Sequence, residues 1–250
     1  MTAERIIASL DLPQEAKVDQ RIAKKLLIEN GAPTASGKKQ INDGIEELVW
    51  VAALKPNTVG VPDYRDTIRE VLEVAVLHLK LRNGAKATRI VELIHRAIPY
   101  PLFLVSDIEG KVDLSLATKR WAQNEGEKTV LDDEPLSVEV GDDSRSTSFL
   151  AALSLRKQNR QNLNEFYTGW KALFEAYLAS AYSGIFKQSI SPEDAQRRRK
   201  ALDSANAIQR ELVVLRAKAE RETQMNRKVQ LNLDIKRLEQ ELLVATKEMA

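Results

Sequence analysis

The chain has no cysteine and only two histidines, His78 and His95. A disulfide framework, thiolate metal ligands and a cysteine nucleophile are thereby excluded, and two imidazoles leave little for a zinc site. No cofactor and no metal are expected. A glycine-rich phosphate loop is missing as well, because the glycines never reach the spacing of a P-loop or a dinucleotide fingerprint. No stretch approaches the ~20 apolar residues that span a bilayer, and the opening MTAERIIASLDLPQEAK carries acids in place of an apolar export segment. Neither secretion nor membrane insertion is expected, and the lack of cysteine suits a reducing cytoplasm. Charge of one sign is also missing in excess. Against 36 Asp and Glu stand 38 Lys and Arg, a net of +2, so any nucleic-acid contact needs a local patch.

What remains is ordinary globular material. The 250 residues, 43% hydrophobic and 30% charged, suffice for one good core or two smaller ones. Ala3 to Leu10 reads as a short amphipathic helix stopped before Pro13, and Gln14 to Glu29 as a basic, helix-compatible stretch ended by Asn30-Gly31. Ile41, Ile45 and Leu48 follow helical spacing, after which Leu48 to Leu54 turns strand-like. Arg69 to Leu81 holds apolar residues on both parities, the pattern of a largely buried strand. Ile90, Leu93, Ile94 and Ala97 predict a helix that Pro99 and Pro101 end. A strand pair follows, Leu102 to Val105 and Lys111 to Thr118 around a turn at Asp107 to Gly110, with Thr129–Leu131 and Leu136–Val140 as further sheet.

Residues 141–148, GDDSRSTS, have linker composition. Beyond them a broad apolar face from Phe149 to Tyr182 predicts amphipathic helices over 149–190. Ser191-Pro192, followed by Glu193 and Asp194, marks a helix start. No Gly or Pro follows, which permits a helix over 192–249 of about 55 residues, on the order of 80 Å. Ile208, Leu212, Leu215 and Ala219 form one heptad-like seam, and Leu231, Ile235, Leu238, Leu242 and Ala245 another. They are out of phase, and the offset falls between Glu220 and Lys228, where a helix changes partner, kinks or breaks. The fold class expected is α+β. An N-terminal mixed, mostly antiparallel sheet domain with helices covers 1–140, and an all-α arm with a long coiled-coil-like helix covers 149–250.

Chemistry-bearing sets are few. Asp66, Glu73 and Lys80 are the residue types of a metal-dependent nuclease, which needs acidic ligands on neighbouring strands and a lysine to position water. His78 stands where the acid two residues before that lysine belongs, and charged strand edges explain the three equally well. Two basic clusters, Arg21 with Lys24 and Lys25, and Arg197, Arg198, Arg199 with Lys200, are candidates for phosphate contact or for solvated faces. Gln224 to Asn232, QMNRKVQLN, mixes Met225 and Val229 with amides and the cations Arg227 and Lys228, suited either to a partner or to a register-fixing polar layer. His95 and Arg96 lie at a helix end before the Pro99-Tyr100-Pro101 turn, where a histidine commonly meets the helix dipole.

Five segments in this order and spacing, KVDQRIAKKLL from Lys17, INDGIEELVWVAALKPNTVGV from Ile41, IHRAIPYP from Ile94, SLATKR from Ser115 and QMNRKVQLN from Gln224, resemble the bacterial domain-of-unknown-function family 4391. Its members are typically encoded beside SNF2-type or DEAD-like helicases and DNA methyltransferases, in loci of restriction-modification or phage-defence kind. The resemblance implies a non-catalytic accessory or assembly subunit that bridges such components. It supplies no catalytic residue. On this reading Met225, Asn226, Arg227, Lys228, Val229, Leu231, Asn232, Ile235, Leu238 and Leu242 are the expected partner-binding set, with a second copy of the chain as a further partner. A DNA-processing nuclease and a DNA-binding module are the alternatives.

Overall fold

The computed structural model describes residues 1–32, 34–122 and 129–249, and it divides into two compact units, Met1–Lys171 and the residues from Ala172 onward. In the first unit, helix α1 (Ala3–Ser9) is capped by Thr2, whose hydroxyl accepts from the Arg5 N–H at 3.3 Å. A short 3-10 turn then leads into strand β1 (Lys17–Arg21) and helix α2 (Lys24–Gly31). The helix-compatible stretch 14–29 is therefore strand in its middle. Asp19 takes φ 49° there, and the pairing with the next strand slips between Lys17 and Gln20. Such a bulge erases the two-residue alternation that reveals a strand.

Helix α3 (Ala35–Gly44) runs into β2 (Ile45–Leu54), followed by α4 (Pro56–Val59), the small hairpin β3 (Tyr64–Arg65) and β4 (Glu70–Val71), and β5 (Val74–Leu81). The crossover helix α5 (Ala87–Ala97) leads to β6 (Leu102–Ile108) and β7 (Lys111–Leu116). A ribbon of β8 (Lys119–Trp121) and β9 (Thr129–Leu131) precedes β10 (Leu136–Glu139). The main sheet is ordered β1-β2-β5-β6-β7-β10. Every neighbouring pair is antiparallel except β5 and β6, the pair that α5 connects. Of the two late segments expected to extend the sheet, 136–139 does so and 129–131 pairs with β8 instead.

Both sheet faces are covered. Leu48, Leu77, Leu79 and Leu104 meet Leu27, Ile41, Ile90 and Ile94 from α2, α3 and α5. On the opposite parity Phe103 lies edge-on to Trp170, with ring centroids 4.7 Å apart, and α1 rests on β6. Segment 141–148 does not behave as a linker. Asp143 caps α6 (Ser144–Ala152), accepting from the Ser146 N–H and hydroxyl at 2.7 Å, and Ser146 is fully buried. Polar composition here reflects a capping turn, and the two units divide within α7 (Leu163–Ser183).

In the second unit, α8 (Pro192–Arg221) starts at its Ser191 cap, where the sequence placed it, and α9 (Met225–Met249) follows. The 192–249 segment is thus broken at 222–224, inside the phase offset noted between Glu220 and Lys228. Glu222 becomes extended, and its carboxylate accepts from the Gln224 N–H at 2.9 Å. At 1.5 Å per residue the 30- and 25-residue helices are about 45 Å and about 38 Å long. They run antiparallel, as the pairings Arg216 with Glu239 (2.7 Å) and Arg198 with the Met249 carbonyl (3.3 Å) require. Ile208, Leu212 and Leu215 face Ile235, Leu238 and Leu242, so the two seams cover each other. Ala201, Leu202, Ala205, Ala245 and Met249 close the wide end against Ala179.

Candidate functional site

Three of the five quoted segments meet around one pocket of about 410 Å³ in the first unit. The strand-to-helix passage of β1 and α2 gives Arg21, Leu26 and Leu27, β2 gives Trp50, and the end of α5 gives Ile98, Pro99 and Tyr100. A bulge in β2 between Trp50 and Ala52 lets the indole N–H donate to the Ala52 carbonyl at 2.9 Å. The ring is then satisfied at its polar edge and offers apolar surface to the pocket. Gly31 brings α2 onto α5. A Cβ at this glycine would sit 2.6 Å from both Ala97 Cβ and the Leu93 carbonyl oxygen. The slot has an apolar floor and a polar rim of Gln20, Arg21 and Asn30, which fits an apolar side chain or a small ring.

The Pro99-Tyr100-Pro101 turn beside the pocket is held from beneath. Prolines at 99 and 101 cannot continue α5, so its last carbonyls need other donors. Lys119, only 5% exposed, sends its ammonium to the carbonyls of His95 and Ile98. Burial pushes that amine down to about 7. His95, wholly buried, places Nε2 3.0 Å from the Ser115 hydroxyl, while Nδ1 has no partner among the described residues. Burial first, and the charge of Lys119 second, pull the imidazole down to about 3. The Tyr167 hydroxyl donates to the Leu102 carbonyl at 2.7 Å and accepts from the Ala117 N–H at 2.9 Å. Arg96 stays at the surface, paired with Glu92 at 2.6 Å. His95 is therefore a neutral core group, and the IHRAIPYP and SLATKR segments form one buried polar lock.

The nuclease set is not brought together. Glu73 precedes β5 and Lys80 lies near its end, seven residues of extended chain and about 23 Å apart, on opposite faces. Each has another role. Asp66 caps the β3–β4 turn, and the Arg69 N–H, the Tyr64 hydroxyl and the Ile68 N–H hold its carboxyl below the usual range. Glu73 pairs with Lys55 and Lys80 with Glu46, both at 3.1 Å. Among the described residues no group of three or more His, Asp or Glu is placed to hold a metal ion.

Both proposed phosphate clusters are largely neutralised. Arg21 pairs with Glu47 at 3.5 Å, Lys25 with Glu29 at 3.7 Å, and Lys24 donates to the Asn42 carbonyl at 3.0 Å. Arg197 and Arg198 pair with Asp194, three and four residues back along α8, and Arg199 with Glu175 at 2.8 Å. Lys200 alone of that run is without a partner among the described residues.

The expected partner seam is corrected too. Leu238 is 4% exposed, Ile235 and Leu242 are half-buried on the face that α8 covers, and Leu231, also half-buried, lies at the turn end of the hairpin. A heptad pattern shows that an apolar seam exists, not whether its complement lies in another chain. The remainder of that set does face outward. Met225 and Val229 are 74% and 50% exposed, and Leu233, absent from the sequence expectation, is 57% exposed. At about 100° per residue these three lie on one stripe, turned away from the seam. Asn226, Lys228 and Asn232 are exposed without side-chain partners among the described residues.

The first unit is thus an α/β sheet covered on both faces with an apolar slot at its side, and the second a helical hairpin with an outward apolar stripe. The chain belongs to the family described as Domain of unknown function (DUF4391), which it matches over residues 10–242. Neither the curated proteins nor the solved structures yield a match. No helix among the described residues is long and apolar enough to cross a membrane.

Proposed function

We propose that this chain is a cytoplasmic, non-catalytic assembly subunit of a bacterial DNA-targeting system of phage-defence or restriction-modification kind. The observation that carries this reading is the outer stripe of α9. Its other face is already filled by α8, yet Met225, Val229 and Leu233 recur at i, i+4 and i+8 on the solvent side, and Leu243 and Val244 prolong the apolar surface. That spacing is the one by which an amphipathic helix is recognised. The slot beside Trp50 and Tyr100 gives the α/β unit a place for a second component. The family resemblance supplies their nature, a helicase of SNF2 or DEAD-like kind and a DNA methyltransferase.

Removing residues 193–250 is a poor test, because Arg199 neutralises the buried Glu175 and Ala201 and Leu202 cover Ala179. The sharper perturbation combines Met225→Asp, Val229→Asp and Leu233→Asp, all on exposed positions. The triple variant should keep its helix content and melting temperature while losing co-purification with the neighbouring helicase or methyltransferase. Undiminished co-purification would refute the assignment.

A further inference from the structure

A group of cations without ion-pair partners among the described residues lies at the turn of the hairpin, away from the clusters that the sequence makes conspicuous. Lys218 and Arg221 at the end of α8, and Arg227 at the start of α9, line one open depression of about 490 Å³. All three are exposed, and none has an ion-pair partner among the described residues. Lys228, equally exposed and unpaired, adjoins them. Glu222 also lines the depression, but its carboxylate accepts the Gln224 N–H. From Thr223 to Leu233 there is no acidic residue, and Arg227 has none three or four positions away on its own helix. Gln230 and the half-buried Leu231 complete the lining.

We propose that this hairpin tip binds the phosphate backbone of nucleic acid. The composition decides between polyanions. Protein interfaces deplete lysine, whereas phosphate-contacting surfaces combine Arg and Lys with Asn and Gln side chains and backbone N–H groups. Here two arginines and two lysines gather where α8 ends and α9 begins, with Gln230 an amide beside them and Glu222 the one acid in the lining. The tip lies on a flank distinct from the Met225, Val229 and Leu233 stripe, so it adds a contact to the assembly reading and does not depend on it.

The test is fluorescence anisotropy of a labelled DNA duplex titrated with the full chain across a salt series. Three phosphate contacts give a slope of log affinity against log salt of about −2.7, an affinity loss of about 40-fold over a fourfold rise in salt. The combined variant Lys218→Ala, Arg221→Ala, Arg227→Ala should abolish that salt-dependent component, with circular dichroism unchanged because all three side chains are exposed. Lys200→Ala should leave the binding intact. No binding by the parent chain at low salt, a triple variant that binds as the parent does, or competition by polyglutamate as effective as that by unlabelled duplex would each overturn the proposal. The stripe variant Met225→Asp, Val229→Asp, Leu233→Asp serves as the counter-test, since it should retain duplex binding while losing protein partners.

Discussion

His95 makes the stability of the α/β unit sensitive to mild acid. Its imidazole is fully buried, meets the Ser115 hydroxyl at 3.0 Å, and is held at about 3, against about 6.5 in an unfolded chain. Because the folded value is the lower one, the unfolded state binds the proton first as pH falls. Stability from this group is complete above about pH 6.5 and is lost progressively down to about pH 3. Between about pH 7.5 and about pH 5 the unfolded ring takes up nearly a whole proton and the folded ring almost none, a loss of about 2 kcal/mol. The comparison variant is His95→Gln, which can still meet the Ser115 hydroxyl but does not titrate. Urea unfolding of the full chain, followed by tryptophan fluorescence, gives both stabilities at each pH. Lys119 titrates in both proteins and cancels in the difference. We expect the variant to be the less stable protein near pH 7.5 and the gap to narrow by about 2 kcal/mol near pH 5. A gap that stays constant between the two conditions would refute the assignment of His95 as a buried neutral group.

Four further outcomes follow from the packing. Tyr167→Phe leaves the buried Ala117 N–H and Leu102 carbonyl without their shared hydroxyl, and thermal unfolding should show a loss of about 1–3 kcal/mol. Gly31→Ala drives a methyl into Ala97 and the Leu93 carbonyl, at a cost of about 1–3 kcal/mol, and should narrow the slot beside Trp50, a change visible in indole fluorescence. Leu238→Ala should destabilise the hairpin by about 2–5 kcal/mol and raise hydrogen exchange along α8 and α9. Val229→Ala, on the exposed stripe, should move stability by no more than about 0.5 kcal/mol.

The sequence made legible those elements whose local and tertiary preferences agree. The α5 helix shows its apolar face at helical spacing and stops at prolines, β5 is apolar on both parities because both its faces are covered, and Ser191-Pro192 announces α8. Strand β1 escaped because Asp19 interrupts its alternation and the strand exists only by pairing with β2. The start of α6 was hidden because the residues that cap a helix are also those of a linker. In the C-terminal region the phase break between the two seams was readable, but their mutual packing required a reversal over Glu222 to Gln224 that uses neither glycine nor proline.

For the site, the motif segments were visible without their meeting point. Nothing in SLATKR says that its lysine is buried, since lysine is ordinarily an exposed residue. The basic runs misled for a physical reason. Arg197 and Arg198 have Asp194 within one helical turn, whereas Arg227 has no acid at that distance. Counting the acids three and four positions away, instead of the cations in a row, separates Arg197 and Arg198 from Arg227.

The buried Lys119 has a chemical consequence of its own. Burial holds this amine near 7 and largely neutral in mildly alkaline buffer only while the site is closed, and on opening it regains the value of an ordinary lysine. Enclosure beneath the end of α5, with both carbonyls of His95 and Ile98 upon it, keeps reagents away as long as the turn is closed. Acylation of this lysine therefore times the opening of the α5–β8 region. In a labelling experiment it should lag behind exposed lysines such as Lys200 and then mark, by its mass, the moment at which the lock lets go.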